Sequence, residues 1–233
     1  MRLRPAISYF GSKWRLARKY PRPRHARLVE PFAGGANYAL LYHDLDVVLC
    51  DTYEPIVQAW DYLIRATPSE ILALPDVVDT LDATPMPEEA KRLAAWWLNK
   101  ATTTPQNKMS AWGRQPEHAY QFWGPEIRAR LAHIAAHIKH WQIHHCAYWQ
   151  VGNDEATWFV DPPYQDQGRR YAHSFADFDT LAQWCASRQG QVIVCEQEGA
   201  DWLPFEPFAP CKGTSRNSVE VIWTNDNMQP CMI

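Results

Sequence analysis

The sequence predicts an α/β domain whose sheet carries helices on both faces and is interrupted by a mainly helical section. Strand-like apolar runs occur towards both ends of the chain, and a stretch of small residues joins one of them to a helix-like run. The middle of the chain shows helical patterning instead. The 233 residues, 46% hydrophobic and 21% charged, suffice for one enzyme-sized core.

The first elements have the order strand, turn and helix. Residues 28–32 (LVEPF) have the apolar character of a short strand, residues 33–37 (AGGAN) suit a turn, and residues 38–42 (YALLY) suit a helix. A second strand covers residues 46–51 and ends in a carboxylate, and residues 56–64 resume helical spacing. These segments predict half of an α/β unit.

The middle of the chain changes in composition. Pro, Asp and Thr dominate residues 68–87, and residues 88–140 hold helix-like runs around a polar, aromatic loop. We therefore divide the chain into the first part of a sheet domain (1–64), a helical insertion (65–140) and the second part of the sheet domain (141–233). That last part contains strand-like runs at residues 141–149, 157–160, 191–195 and 220–224. One helix-like run covers residues 178–187.

Composition disfavours several classes of protein. The six cysteines are scattered without a C-x-x-C pair, so we expect reduced thiols and no metal site. His144 and His145 next to Cys146 do not change this, because adjacent strand residues point to opposite faces. The opening residues lack the apolar core of a secretion signal, and no apolar run reaches the roughly 18 residues of a membrane span. We expect a cytoplasmic protein with no membrane partner.

Charge is unevenly distributed along the chain. A net charge of −3 argues against a uniformly basic nucleic-acid binder. Before the first acidic residue, Glu30, all charges are basic: Arg2, Arg4, Lys13, Arg15, Arg18, Lys19, Arg22, Arg24 and Arg27. Such a block either contacts a charged partner such as a phosphate backbone or faces solvent.

The small-residue turn and Asp51 together suggest a nucleoside site. Glycines at a strand-to-helix turn let a ligand approach the backbone, and the helix start offers free N–H groups. The third glycine of the dinucleotide fingerprint is missing, so we expect no pyrophosphate cradle. Asp51 ends the second strand, where a carboxylate can accept from ribose hydroxyls. Capping of the following helix is an alternative role for Asp51.

A second chemical group is the tetrapeptide Asp161-Pro162-Pro163-Tyr164. Two prolines can simply end a strand, but these residues also suit a planar base with an exocyclic amine. The Asp161 carboxylate and the Pro162 carbonyl can accept from the amine and favour the pyramidal nitrogen that attack requires, while Tyr164 offers a stacking face. The base must first leave the duplex. Since open α/β sheets bind ligands at the carboxyl ends of their strands, Asp51 and Asp161 should share one cleft.

Six segments resemble, in order, the motifs of the Dam-type DNA adenine methyltransferases, including their phage-borne relatives. They are SYFGSK (8–13), VEPFAGGA (29–36), LCDTYEPI (49–56), FVDPPY (159–164), VIVCEQ (192–197) and SVEVIWTN (218–225). The resemblance implies a Rossmann-like methyltransferase sheet, S-adenosyl-L-methionine as cofactor and double-stranded DNA as substrate. It also implies that residues 65–140 form a target-recognition region, and it indicates no obligate protein partner.

The resemblance further implies roles for individual residues. The catalytic residues would be Asp161, Pro162 and Tyr164, with Asp161 between cofactor and target adenine and Tyr164 stacked on the flipped base. The cofactor site would comprise Tyr9, Lys13, Phe32, Ala33, Gly34, Gly35, Asp51 and Asp161. In that site Lys13 would lie near the cofactor carboxylate and Asp51 would hold the ribose. Two positions depart from the family: Ala36 replaces the second glycine of F-x-G-x-G, and Tyr53 stands where asparagine is frequent.

The loop NKMSAWGRQ (107–115) resembles the recognition hairpin of the family. Residues of this loop could reach phosphates or base edges: Asn107, Lys108, Arg114 and Gln115. A polar surface loop is the alternative interpretation for each of them. With DNA as substrate, the N-terminal basic block is expected to contact phosphates. The tryptophans of the middle section, Trp96, Trp97, Trp112 and Trp123, are expected to pack between helices.

Residue chemistry alone leaves other functions open. The acceptors of Asp161 and Pro162 suit the amine of cytosine as well as that of adenine, although serine in place of Asp161 would favour cytosine. A relative that binds DNA without catalysis and an enzyme acting on RNA also remain. No general base is required, because the amine proton can leave to solvent after methyl transfer.

Overall fold

Seven strands form one sheet in the computed structural model, which describes residues 3–9, 11–100, 102–165, 177–212 and 217–228. The strands are β1 (Arg27–Glu30), β2 (Asp46–Asp51), β3 (Gln142–His145), β4 (Ala156–Val160), β5 (Gly190–Gln197), β6 (Glu206–Lys212) and β7 (Asn217–Thr224). Their order across the sheet is β3-β2-β1-β4-β5-β7-β6. Strands β1 to β5 are parallel, whereas β7 is antiparallel to both β5 and β6.

Strand β1 is the point at which the order of the sheet reverses. It pairs with β2 on one side, Leu28 opposite Val47, and with β4 on the other, Leu28 opposite Thr157. The loops that follow β1 and β4 therefore leave the same edge of the sheet in opposite directions. Open α/β sheets bind their ligands in the crevice at such a switch point.

Five α-helices accompany the sheet: α1 (Glu54–Arg65), α2 (Pro68–Leu72), α3 (Glu88–Ala94), α4 (Pro125–Ala135) and α5 (Phe178–Ala186). Short 3₁₀ segments cover Ala39–Tyr42, Ala95–Trp97, Pro116–Gln121, Tyr148–Gln150 and Asn225–Met228. Helix α1 buries Ile56, Ala59, Trp60 and Leu63, which recur at helical spacing. Its apolar face therefore lies against the sheet.

Both faces of the sheet are covered, which explains the apolar runs of its central strands. Leu28, Leu49 and Phe159 belong to the core beneath α1. Their chain neighbours point to the opposite face, where Trp158 packs with Trp184 of α5. The expected α/β class with helices on both faces is confirmed.

The section between α1 and β3 shares the core beneath α1. Leu93 of α3 and Leu131 of α4 are fully buried in that cluster. Three tryptophans expected to pack between helices are buried, namely Trp96, Trp97 and Trp123. The expectation for Trp112 was wrong, since its side chain is 45% exposed and stacks on His118 with ring centroids 3.6 Å apart.

Three local assignments differ from the sequence-based expectation. Strand β6 was not predicted, because Pro207 and Pro210 disfavour a strand; it lies at an edge of the sheet, where proline is tolerated. Strand β3 covers only residues 142–145 of the expected 141–149, since Trp141 turns inwards and donates to the His43 carbonyl. The expected helix at residues 38–42 is a 3₁₀ turn.

Cys50, Cys146, Cys185 and Cys195 are free thiols. Among the described residues, His, Cys, Asp and Glu side chains form no group of three or more that could hold a metal ion. No helix in that part of the chain combines the length and the apolar character needed to cross a bilayer.

Candidate active site

The turn after β1 is shaped by glycine and held by the neighbouring strand. Gly34 has φ of +43°, a left-handed conformation that glycine adopts without steric cost. Its N–H donates to Asp51 Oδ2 (3.0 Å), and its carbonyl accepts from Trp60 Nε1 of α1 (2.9 Å). A Cβ at Gly34 would lie 3.4 Å from the ring of Tyr9. The turn is therefore fixed from below and closed by an aromatic side chain above.

Ala36, the departure from the family pattern, also adopts a left-handed conformation, with φ of +42°. This conformation costs a residue with a Cβ about 1–2 kcal/mol. The turn nevertheless closes, because the Ala36 N–H donates to the Ala33 carbonyl (2.7 Å) and the Ala36 carbonyl accepts from Leu40 (3.0 Å). Alanine thus keeps the glycine-type geometry at some conformational cost.

Asp51 ends β2 and bridges two backbone segments. Oδ2 accepts from Gly34, and Oδ1 accepts from the N–H of Tyr53 (2.8 Å) just before α1. The alternative role as cap of the helix was wrong, since the N-cap of α1 is Tyr53 and, among the described residues, no side chain caps the helix; Asp51 instead holds the backbone of that N-cap residue. A carboxylate has about four acceptor positions, and these two contacts occupy two of them. The Tyr53 ring packs edge-on against Trp96, which also contacts Tyr9.

One cleft at the switch point collects most residues expected to bind the cofactor. Its lining includes Tyr9, Lys13, Phe32, Ala33, Gly34, Gly35 and Asp161. Asp51 contacts this lining through Gly34. A larger concavity of about 450 Å³ lies along β3, with Gln142, His144 and Trp158 in its wall, and shares no lining residue with the cleft. The candidate site is therefore identified by the functional groups that meet in the cleft, and not by the volume of the cleft.

Lys13 and Asp161 form an ion pair at the base of this cleft. Lys13 Nζ lies 2.8 Å from Asp161 Oδ1, and the side chains are 8% and 23% exposed. Burial raises the pKa of Asp161 above its ordinary value; Lys13 opposes this rise and Glu220 adds to it. Lys13 was expected near the cofactor carboxylate, whereas its partner in this structure is the proposed catalytic aspartate.

Tyr164 is buried beside this pair. Its hydroxyl donates to Glu220 Oε1 (2.6 Å), and Lys13 Nζ lies 4.5 Å from the centroid of its ring. Burial raises the pKa of Tyr164 well above its ordinary value, so the hydroxyl remains a donor. The next residue, Gln165, donates its N–H to Glu196 Oε1 (2.8 Å). The tetrapeptide is thus tied down at both ends, and stacking of Tyr164 on a base stays a prediction.

Buried carboxylates are the residues that sequence reasoning missed. Glu30, Glu196 and Glu220 all lie within apolar strands and are almost fully buried. Glu30 accepts from the Ala39 N–H (2.6 Å), and burial raises its pKa well above the ordinary value. A charged residue inside an apolar strand is costly unless it is paired. That pattern, visible in LVEPF, VIVCEQ and SVEVIW, was an available signal.

The loop expected to contact DNA begins beside the cleft. Tyr9, in the cleft wall, forms a bridge with Thr102, and the loop continues from there. Lys108, Arg114 and Gln115 are exposed on it. Asn107 is engaged structurally, since its side-chain amide donates to Asp82 Oδ2 (2.7 Å). The basic N-terminal block has two kinds of residue. Arg24 and Arg27 form ion pairs with acidic side chains, although Arg24 is exposed, while the exposed cations outside these pairs are Arg4, Arg15, Arg18, Lys19 and Arg22.

The sheet order, the antiparallel β7 and the cleft at the switch point define an α/β protein with the Rossmann-like methyltransferase fold. Residues 9–90 match the sequence model of the D12 class N6 adenine-specific DNA methyltransferase family. This match covers about a third of the chain and supports a Dam-type DNA adenine methyltransferase that uses S-adenosyl-L-methionine. The match spans Lys13, the glycine turn and Asp51, whereas Asp161 lies beyond it. No curated protein matches the chain significantly.

Proposed function

We propose that this enzyme methylates N6 of an adenine within a specific DNA sequence, after the adenine has been flipped into the pocket of Asp161, Pro162 and Tyr164. The observation that carries the proposal is the convergence of Asp161, from the end of β4, with the glycine turn from the end of β1 in one cleft. A methyl donor held at the turn would thereby face a base held at Asp161.

The residues of the cleft fit S-adenosyl-L-methionine. Its sulfonium is cationic, and Asp161 places a carboxylate in the cleft wall. The left-handed Gly34 and the adjacent Gly35 let a ligand approach the backbone closely. Asp51, Tyr9 and Phe32 complete the proposed set with an acceptor for the ribose and two aromatic faces. When bound, the cofactor supplies an activated methyl group.

Asp161 and the Pro162 carbonyl are the proposed acceptors for the two amine hydrogens of adenine. Accepting from both hydrogens reduces the delocalisation of the nitrogen lone pair into the ring, and so favours attack. Lys13 holds the Asp161 carboxylate in place through their 2.8 Å contact. The two prolines fix φ, which limits movement of the carbonyl. The surplus amine proton leaves to solvent after transfer.

Flipping would bring the adenine against Tyr164. A base leaving the duplex loses its stacking, at a cost of a few kcal/mol, and stacking on an aromatic side chain offsets part of that cost. The Tyr164 ring is at present covered by Lys13 Nζ.

We assign sequence recognition to residues 65–140 within the division 1–64, 65–140 and 141–233. Lys108, Arg114 and Gln115 lie exposed on a loop that starts at the cleft wall. Arginine and glutamine side chains suit bidentate contacts to base edges, and lysine suits phosphates. Exposed N-terminal cations would extend this contact along the DNA backbone.

The test is transfer of labelled methyl groups from S-adenosyl-L-methionine to mixed-sequence duplex DNA, followed by nucleoside analysis and mapping of modified sites. We expect N6-methyladenine at one short sequence with the wild type, and a loss of about 10²–10³-fold in rate with Asp161→Ala. Asp44→Ala, at a carboxylate that is 91% exposed, serves as the matched control and should retain the wild-type rate.

Flipping is tested with 2-aminopurine at the mapped adenine, whose fluorescence rises when the base unstacks. An active Asp161→Ala variant would exclude the proposed catalytic role. Methylated cytosine would reverse the base assignment. Methyl label on RNA and not on DNA would make RNA the substrate. Absence of label with proven cofactor binding would favour a non-catalytic DNA-binding role.

A further inference from the structure

Glu220 is a buried carboxylate on β7 that lies at the centre of the site. It is 4% exposed, although it stands in an apolar strand. Its Oε1 accepts from the hydroxyls of Tyr164 (2.6 Å) and Tyr20 (2.7 Å) and lies 3.8 Å from Lys13 Nζ. Burying a carboxylate is costly, and these three partners offset the cost.

A stable fold does not itself require this arrangement. Well-packed apolar residues of similar volume often replace buried ionic groups without loss of stability. The partners of Glu220 are also far apart in the chain, with Tyr20 200 residues and Tyr164 56 residues away. One carboxylate therefore ties the N-terminal segment, the tetrapeptide loop and β7 together at the place where chemistry is proposed.

The contacts of Glu220 reach both side chains that flank Asp161. On one side Glu220 fixes the hydroxyl of Tyr164, which follows Asp161 by three positions. On the other side it attracts Lys13, whose Nζ contacts Asp161 Oδ1 at 2.8 Å. Burial raises the pKa of Tyr20 and of Tyr164 well above the ordinary value, so both hydroxyls stay protonated and both can donate. The carboxylate is thus the common acceptor of the network.

We propose that Glu220 is a positioning residue for methyl transfer, which holds Tyr164 and Lys13 so that the Asp161 carboxylate faces the target amine. It acts through these side chains and does not touch the substrate. This inference rests on the proposed function, because it requires Asp161 to be the group that receives the amine.

Two variants separate positioning from packing. Glu220→Met keeps the length of the side chain and fills the site with apolar atoms, but removes the acceptor for both hydroxyls. Glu220→Gln keeps an acceptor oxygen and removes the charge beside Lys13. Glu198→Gln, at an exposed residue following β5, is the matched control and should keep the wild-type rate.

Single-turnover methylation of duplex DNA is measured at saturating cofactor, together with KM for the cofactor. We expect Glu220→Met to slow transfer by roughly 10–100-fold with KM changed by less than about 3-fold, because misplacement of a reacting group acts on the chemical step. Glu220→Gln should recover most of that rate. Because the charge of Glu220 raises the pKa of Asp161, Glu220→Gln should also move the acid limb of the pH profile of the single-turnover rate to lower pH.

The inference is overturned if folded Glu220→Met transfers methyl groups at the wild-type rate. If Glu220→Met does not fold, Glu220→Gln decides: a wild-type rate with an unmoved acid limb overturns the inference, and a displaced limb supports it. Asp161→Ala is assayed alongside. An inactive Asp161→Ala with wild-type Glu220 variants defeats this inference alone, whereas an active Asp161→Ala defeats the proposed function.

Discussion

Lys13→Met removes the charge between the carboxylates of Asp161 and Glu220 while keeping an unbranched side chain of similar length. Lys13 Nζ lies 2.8 Å from Asp161 Oδ1 and 3.8 Å from Glu220 Oε1. At an effective dielectric constant of about 20, such charges attract by about 6 and about 4 kcal/mol respectively. Desolvation of the ammonium offsets much of this, and losing one partner of a buried pair typically costs about 3–5 kcal/mol. Because 23% of the Asp161 side chain is exposed, we expect Lys13→Met to lower the free energy of unfolding by about 2–4 kcal/mol near neutral pH.

The size of this loss should depend on pH. Burial raises the pKa of Asp161 above its ordinary value of 3.8, and Lys13 opposes the rise. At a pH between the ordinary pKa and the raised pKa in the folded protein, Asp161 is protonated in the folded protein and ionised in the unfolded chain. The free energy of unfolding therefore falls as the pH rises through this range. Without Lys13 the pKa of Asp161 in the folded protein rises further, so this range of pH becomes wider. The destabilisation by Lys13→Met should therefore grow as the pH rises above the ordinary pKa of 3.8.

Urea unfolding of wild type and variant, followed by tryptophan fluorescence at each pH, measures this difference. Lys19→Met, at an exposed lysine of the same segment, is the control and should change stability by less than about 0.5 kcal/mol. A loss that stays constant over the whole pH range, or that grows towards acid, would refute the assignment of Lys13 as the charge partner of Asp161.

Two further predictions concern ligand binding. Asp51→Ala should weaken S-adenosyl-L-methionine binding by roughly 10–100-fold, because a hydrogen bond to a charged group is lost, and should leave duplex affinity within about 3-fold; calorimetry checks both, and a larger effect on DNA would mean that the cleft is misassigned. Arg114→Glu should weaken duplex binding by roughly 10-fold near 0.1 M salt and lower its salt dependence, measured by fluorescence anisotropy at several salt concentrations. Unchanged affinity and sequence preference would leave Arg114 as a solvent-facing residue.

Local patterns predicted much of the fold. Apolar runs bounded by turn residues indicated most of the strands, and the glycine turn between β1 and the 3₁₀ segment Ala39–Tyr42 was placed correctly. Strand β6 was not predicted, because its two prolines disfavour a strand in general and are tolerated only at the edge of a sheet. Whether a strand lies at an edge depends on the order of the whole sheet, which local pattern does not contain.

The exposure of Trp112 shows the same limit. Trp96 and Trp97 follow α3 directly and are buried with it, whereas Trp112 lies in a loop and stacks on His118 six residues later. Tryptophan suits both environments, because its ring is apolar and its N–H is polar. The type of residue thus gave the correct expectation for two of these three side chains and the wrong one for the third.

The sequence by itself determined the chemical groups and the ends of the strands that carry them. Asp161 and Asp51 each follow an apolar run, and the order of the motifs indicated the class of enzyme, because these features depend on neighbouring residues. Only the tertiary structure decided that Lys13 pairs with Asp161 and that Glu220 joins Tyr20 to Tyr164. Those contacts join residues far apart in the chain, and they form because the packed sheet, through its order and register, brings β7 and the N-terminal segment to the loop that follows β4.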